Sequence, residues 1–259
     1  GLIYIPSEKT RIALGLSSGF RSPNIDDLVK VFDFSVAKRV YVPNADLKPE
    51  YTYNADLTIS HSFAKIVRLE VTGFYTLFDN AIAGAPFRLN GQDSILYNSV
   101  MSAVYASQNM NKGDTYGFSA NVKVDFTKSL SFLSTASLTK GKLEKYNGTK
   151  VPQDHIPPFF GKSSLIYQHS KFSTELFAMY NGWKKIEDYN PDGEDNQQYA
   201  TLDGMPSWFT LNWRGNVNLC KAIQLQAAIE NIFDRNYRYF ASGFSAPGRN
   251  FIVALRASW

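Results

Sequence analysis

The sequence predicts an all-β protein: an antiparallel up-and-down transmembrane β-barrel wall of about ten strands plus a stub. Three observations predict it. Apolar and polar residues alternate with period two in segment after segment, the links between those segments alternate short and long, and the last segment ends on a tryptophan with no polar tail. In that terminal segment Phe251, Val253, Leu255, Ala257 and Trp259 share one face, while Asn250, Arg256 and Ser258 share the other with Ile252 and Ala254. Such a strand suits one side in hydrocarbon and the other toward a polar lumen, and the four named apolar residues Phe251, Val253, Leu255 and Trp259 are the expected barrel-assembly face. The edge strand of a soluble sandwich alternates in the same way, so the rest of the chain must decide.

Composition narrows the choice. Aromatic residues make up 15% of the 259 residues, yet the mean hydropathy is −0.25, a pairing that suits surfaces on which apolar and polar residues alternate. No run of eighteen apolar residues occurs, which excludes a helical membrane span and leaves a β-barrel open. The net charge of +4 is spread along the chain without a basic cluster, so no nucleic-acid partner is expected. Cys220 stands alone, which rules out an internal disulfide and a cysteine metal cluster. Residues 1–5 read as a strand end with neither a basic start nor a small-residue cleavage site, so a secreted protein would be a mature piece or a fragment here.

In chain order, residues 3–5 form the stub and residues 11–18 the first full strand, with Ile12, Leu14 and Leu16 on one face. Residues 53–60 set Tyr53, Ala55, Leu57 and Ile59 against Asn54, Asp56, Thr58 and Ser60; residues 66–78 set Val67, Leu69, Val71, Tyr75 and Leu77 against Arg68, Glu70, Thr72 and Thr76. Strands follow at 115–126, 130–138, 159–168, 172–180, 208–219, 223–233 and 251–259, and the connection 84–114 carries local strand near 95–98 and 103–108. The links at 6–9, 63–65, 127–129, 169–171 and 220–222 are short, and each carries a lysine. Those at 21–50, 84–114, 181–207 and 234–249 are long, as is the polar loop containing Pro152, Pro157 and Pro158. A soluble sandwich mixes its loop lengths at both ends, whereas an outer-membrane barrel turns tightly at one rim and sprawls at the other. Lipid offers no partner to an unpaired strand edge, which is why such strands must close.

Four segments resemble one family. Ser18-Gly19-Phe20-Arg21-Ser22-Pro23-Asn24 is similar to its G-F-R-x-P element, Asn44-Ala45-Asp46-Leu47-Lys48-Pro49-Glu50 to its N-x-x-L-K-P-E element, Glu230-Asn231-Ile232-Phe233-Asp234-Arg235-Asn236-Tyr237 to its N-[IL]-F-D-x-x-Y element, and Pro247-Gly248-Arg249 to its C-terminal G-R signature. The family is the TonB-dependent outer-membrane receptors. The resemblance covers the second half of its twenty-two-stranded barrel, and implies that residues 1–259 are the C-terminal part of that barrel with the plug domain absent. It further implies the outer membrane of a Gram-negative bacterium, with outer-membrane lipid, an imported small-molecule ligand, and the TonB energy-coupling protein (through the missing N-terminal part) as partners. The implied role is energy-dependent uptake of a scarce solute: a ferric siderophore, haem, cobalamin or similar. The alternative is a complete small ten-stranded barrel acting as a hydrolase or adhesin.

No catalytic residue and no cofactor are expected. His61, His155 and His169 lie on different segments without a ligand partner at i+3 or i+4, and Asp154-His155 beside Pro157-Pro158 lacks the second carboxylate pair of an outer-membrane protease. Asp188-Tyr189-Asn190-Pro191-Asp192-Gly193 opens like a calcium loop, with Asp188, Asn190 and Asp192 as ligands, but Tyr199 stands where the bidentate glutamate belongs; a solvated acidic loop is the preferred reading. Trp183 and Tyr189 beside those carboxylates, with Arg21, Arg39 and Tyr41 in the first long loop, are the candidate ligand-binding residues, the arginines by their charge toward an anionic ligand.

Overall fold

A computed structural model describes residues 1–29, 31–34, 38–110, 112–145, 147–193 and 195–257. A hairpin of β1 (Leu2–Ser7) and β2 (Thr10–Arg21) leads into a long connection holding the helical turn α1 (Ile25–Val29), β3 (Phe32–Phe34) and β4 (Arg39–Tyr41). The hairpin of β5 (Glu50–Phe63) and β6 (Val67–Asp79) precedes a second long connection with β7 (Ile82–Pro86), β8 (Ser94–Tyr97) and β9 (Val100–Asn109). Then come β10 (Lys112–Asp125) and β11 (Leu130–Glu144), a third connection with β12 (Lys150–Pro152), and the pair β13 (Phe160–Gln168) and β14 (Phe172–Asn181). A fourth connection carries β15 (Lys184–Lys185) and β16 (Gly204–Met205); β17 (Trp208–Asn218) and β18 (Ile223–Glu230) follow, and a fifth connection leads to β19 (Asn250–Ala257).

One antiparallel sheet joins β1, β2, β5, β6, β10, β11, β13, β14, β17, β18 and β19 in chain order, with β12 paired to β11 beside it. Since each strand pairs with its successor, all the tight turns fall on one rim and all the long connections on the other. The sheet does not close; β1 and β19 are its two edges.

The period-two alternation becomes two chemically distinct faces. Cross-strand register lines up Ile12, Ile59, Val71, Ala120 and Ala136 on one face, and Thr58, Thr72, Ser119 and Ser137 on the other. Further along, Leu225 and Leu255, Ala227 and Val253, and Ile229 and Phe251 pair on the apolar face. Val253 is 77% exposed and Leu255 67%, so no second layer covers them. In a sandwich these side chains would form the core; here the apolar face looks outward, which in water would forfeit the main driving force of folding and in lipid does not. The polar face carries Glu175, whose carboxylate accepts from Lys162 Nζ (2.8 Å), Ser164 Oγ (2.7 Å) and Arg214 Nε (2.5 Å), an ion network suited to a wet lumen.

The buried apolar residues lie on the long-connection side. Val40, Val42, Val104 and Ala106 form one cluster between the first and second connections, and Ala81, Ala85, Met110, Leu143 and Val151 a second. There β3, β4, β9 and β7 form a small sheet of their own, with β8 on β9. Its β4–β9 pair is parallel, from Arg39 opposite Ala103 to Tyr41 opposite Tyr105, unlike the antiparallel pairs of the large sheet. Two connections that leave the same rim and run side by side need no hairpin between them.

Other differences are local. The expected strand 130–138 continues to Glu144, because β10 and β12 go on supplying hydrogen-bond partners where the apolar pattern has already stopped. The expected strand 223–233 ends at Glu230, since Asn231 takes a left-handed φ of 49°. The terminal strand is as expected through Ala257; Trp259, which the sequence places on its apolar face, lies outside the described residues.

Candidate functional site

The long connections meet over the polar face. Pairing of β4 with β9 brings the first connection beside the second, so that Arg39 lies over the Tyr105 ring, 4.7 Å from its centroid, and the Tyr41 and Tyr105 rings sit 5.6 Å apart. The fourth connection completes the junction. Arg39 Nη2 donates to the Pro191 carbonyl (3.0 Å), the Tyr41 hydroxyl to the Asp192 carbonyl (3.4 Å) and the Tyr105 hydroxyl to Asp192 Oδ1 (3.4 Å). Lys145 of the third connection pairs with the same Asp192 carboxylate. Burial raises the pKa of the Tyr105 phenol against the lowering effect of Arg39, and Asp192 raises it further, so this hydroxyl stays a donor.

Beside this junction lies a cavity of about 550 Å³, lined by Arg39, Tyr41, Pro191, Asn196, Gln197 and Gln198 among others. A guanidinium has five donors, of which the bond to the Pro191 carbonyl takes one among the described residues; the amides add neutral donors and acceptors. The arrangement suits a polar ligand bearing negative charge.

Of the candidate ligand residues, Arg39 and Tyr41 share this cavity. Arg21 does not line it: its guanidinium bonds Glu50 Oε2 (3.4 Å) and the Ile82 carbonyl (3.2 Å), while Glu50 Oε2 also accepts from the Ile82 amide (2.8 Å). Trp183 donates its indole N–H to the Asp203 carbonyl (3.1 Å) and borders a separate groove with Phe159 and Pro157. Tyr189 is buried against Phe240, with ring centroids 6.0 Å apart, and burial raises the pKa of its phenol. Among the calcium-like residues, Asp188 pairs with Lys140 (3.0 Å), Asp192 with Lys145, and Asn190 Oδ1 accepts the Asp192 amide (3.1 Å). The Gly193 amide donates to the Asn190 carbonyl (3.1 Å), so turn chemistry accounts for the Asn-Pro-Asp-Gly pattern. Among the described residues no three His, Cys, Asp or Glu side chains form a group that could hold a metal ion.

Sequence reasoning did not single out Tyr105, Lys145 or the amides at 196–198. Tyr105 falls in the expected local strand 103–108, but nothing in the order of residues says that three other connections converge on it.

The family model described as "TonB dependent receptor-like, beta-barrel" matches residues 1–232. The chain belongs to this family. It is 23% identical over 247 residues to the iron-regulated outer membrane virulence protein of Vibrio cholerae serotype O1, covering 93% of this chain and 36% of that protein. Among solved structures it is similar to the ferric enterobactin receptor PfeA (TM-score 0.76, 20% identity, 99% of this chain and 40% of that one) and to the copper transporter OprC (TM-score 0.75, 16% identity, 99% and 38%). The chain therefore spans between 25% and 41% of the length of the proteins it matches. This TonB-dependent receptor barrel is an outer-membrane fold, and the solved structures it resembles are named as a transporter and a receptor.

Proposed function

We propose that this chain is the C-terminal portion of the barrel of a TonB-dependent receptor that imports a scarce metal complex, its long connections forming part of the capture surface. Energy coupling falls to TonB, acting through a plug outside this sequence. The observation that carries the reading is the loop cavity where Arg39 and Tyr41 face Asn196, Gln197 and Gln198, a polar cationic lining above the barrel lumen. Relatives named for iron regulation, ferric enterobactin and copper support a metal-bearing solute, and an anionic ferric siderophore matches the arginine. Arg21, Trp183 and Tyr189 act here by shaping the connections.

The test is growth of a strain lacking the receptor gene on a panel of ferric siderophores as sole iron source, complemented by wild type or by Arg39→Ala. Wild type restores growth on at least one anionic siderophore, and R39A raises the concentration required by at least about tenfold, the loss expected for roughly 1.5 kcal/mol or more of charged hydrogen bonding. Growth independent of the gene on every siderophore overturns the reading.

A further inference from the structure

The tight-turn rim carries a feature that neither the barrel wall nor the capture surface uses. Its five turns, at 6–9, 63–65, 127–129, 169–171 and 220–222, each hold one lysine: Lys9, Lys65, Lys128, Lys171 and Lys221. All five are exposed, and among the described residues none takes part in an ion pair. A backbone hydrogen bond ties each turn to the next. The Ser62 amide donates to the Lys9 carbonyl (2.8 Å), Asp125 to Ile66 (2.9 Å), Gln168 to Ser129 (2.8 Å) and Asn218 to Lys171 (2.8 Å). The lysines therefore follow one continuous edge, with neighbouring turns two strand spacings, or about 10 Å, apart.

Turn geometry does not call for lysine. Gly, Asn, Asp and Ser are the residues that turns favour, and Lys65 holds a left-handed φ of 59° that glycine would take without strain. Charge also sorts by rim: Glu8 is the single carboxylate in the five turns, whereas every long connection carries at least one, Asp46, Asp93, Asp154, Asp192 and Asp234 among them. Just inside the lysines the outward face is aromatic. Tyr4 pairs with Ile12, Phe63 with Val67, Tyr167 with Leu130 and Phe172 with Val217, all on the apolar face, and Phe126 continues the row of Val124. The Phe172 ring lies 5.8 Å from Tyr167 and 5.1 Å from His169, centroid to centroid. An aromatic belt marks headgroup depth, and a lysine stem beside it carries its ammonium out to the phosphates.

We propose that this lysine rim binds the phosphates of anionic glycerophospholipids, phosphatidylglycerol or cardiolipin, in the periplasmic leaflet. Spread along an arc at headgroup depth, the ammonium groups meet lipid phosphates one by one, whereas an acidic protein would favour charges gathered into a patch. Lipid A offers the same phosphate chemistry, but in the opposite leaflet, which the long connections border. The proposal goes beyond the capture surface and is independent of the imported solute.

Cys220, exposed in the fifth turn, provides a local reporter. The full-length receptor, with any other cysteine replaced by serine, is labelled there with a fluorophore and reconstituted in phosphatidylethanolamine vesicles. Spin-labelled phosphatidylglycerol or phosphatidylethanolamine is titrated in as quencher. Wild type favours phosphatidylglycerol at least about fivefold at low salt, the scale of one lysine at an anionic surface, and the preference shrinks at high salt. Lys171→Gln combined with Lys221→Gln brings the ratio close to that of the neutral lipid. Quenching by phosphatidylethanolamine stays as in wild type, which reports that the variant is folded and inserted. A charge-matched control at the other rim, Lys142→Gln with Lys150→Gln, keeps the wild-type preference. Absence of a preference in wild type overturns the proposal and leaves the rim to an acidic protein partner. A wild-type ratio in K171Q/K221Q, or an equal loss in K142Q/K150Q, also overturns it, as does displacement of the quencher by unlabelled lipid A more readily than by unlabelled phosphatidylglycerol.

Discussion

Asn231 shows how much one amide can hold. It is 2% exposed; its side chain accepts the Arg235 amide (2.9 Å) and donates to the carbonyls of Arg235 (2.8 Å) and Pro247 (3.3 Å), and its own amide donates to Asn212 Oδ1 (2.8 Å). Nearby, Asp234 Oδ1 accepts the Arg249 amide (2.7 Å) and Arg249 Nε donates to the Ile232 carbonyl (2.9 Å), so two stretches that resemble the family bind each other at the root of the fifth connection. Asn231→Ala leaves buried backbone groups without partners and is expected to cost about 2–3 kcal/mol, read as a lower denaturant midpoint; an unchanged midpoint refutes this role. At the opposite rim, Ala64 and Lys65 both take positive φ, 46° and 59°, in a turn closed by the Ile66 amide on the Phe63 carbonyl (3.0 Å). Lys65→Gly removes a left-handed side chain and should stabilise the hairpin by about 0.5–1 kcal/mol in the same measurement. Lys184 is buried, donating Nζ to the Ile156 carbonyl (2.7 Å), and burial lowers its pKa despite the opposing pull of Asp195 and Asp188. Between that lowered value and about 10.4 the unfolded chain binds more protons than the folded one, so stability gains with rising pH across this window, and the burial cost is fully present below it. The difference between wild type and Lys184→Met should therefore narrow or change sign as pH rises toward 10.4, in paired pH–denaturation curves; a pH-independent difference contradicts it.

At the scale of the strand, the two faces predict opposite tolerances. Leu176 on β14 pairs with Leu165 and Trp213 on the apolar face, whereas Gln226 on β18 pairs with Asn216 and Ala254 on the polar one. Leu176→Arg places a charge toward hydrocarbon and should cost about 2–4 kcal/mol of stability in lipid vesicles, whereas Gln226→Arg should change it by less than about 1 kcal/mol. Equal costs would mean the faces have been assigned wrongly. The strands themselves were legible because period two is a local property: where alternation is clean, as from Val67 to Leu77, the boundaries agree with the structure within a residue or two. Where apolar alternation stopped before hydrogen bonding did, as beyond Leu138 in β11, the end was missed, since pairing partners are not local information.

For the whole molecule, the open sheet is the governing fact. Backbone groups on the outer sides of β1 and β19 meet no neighbouring strand among the described residues, and lipid does not satisfy them. Amides of β1 and β19 should therefore exchange with solvent deuterium much faster than those of β10 when this chain stands alone in detergent, and slow to similar rates once further strands complete the barrel. Uniform protection in the isolated chain would point to a smaller closed barrel. The first and second connections are likewise knitted as a unit, by Asn109 donating to the carbonyls of Lys48 (2.9 Å) and Asn80 (2.9 Å) and by Asn44 donating to Ser107 (2.8 Å). The residues of the family motifs thus serve to root the connections.

By itself the sequence determined the class, the strand order, the two-faced wall and the separation of tight turns from long connections, because each follows from alternation and spacing along one stretch of chain. It also named Arg39 and Tyr41, through charge and chemical type, and the fold brings both to one cavity. Only the tertiary structure decided that Arg21 serves Glu50, that Asp188 and Asp192 are already paired with lysines, and that Tyr105 and Lys145 meet Asp192. Those contacts join residues far apart in the chain, and irregular connections carry no periodicity from which such meetings can be read.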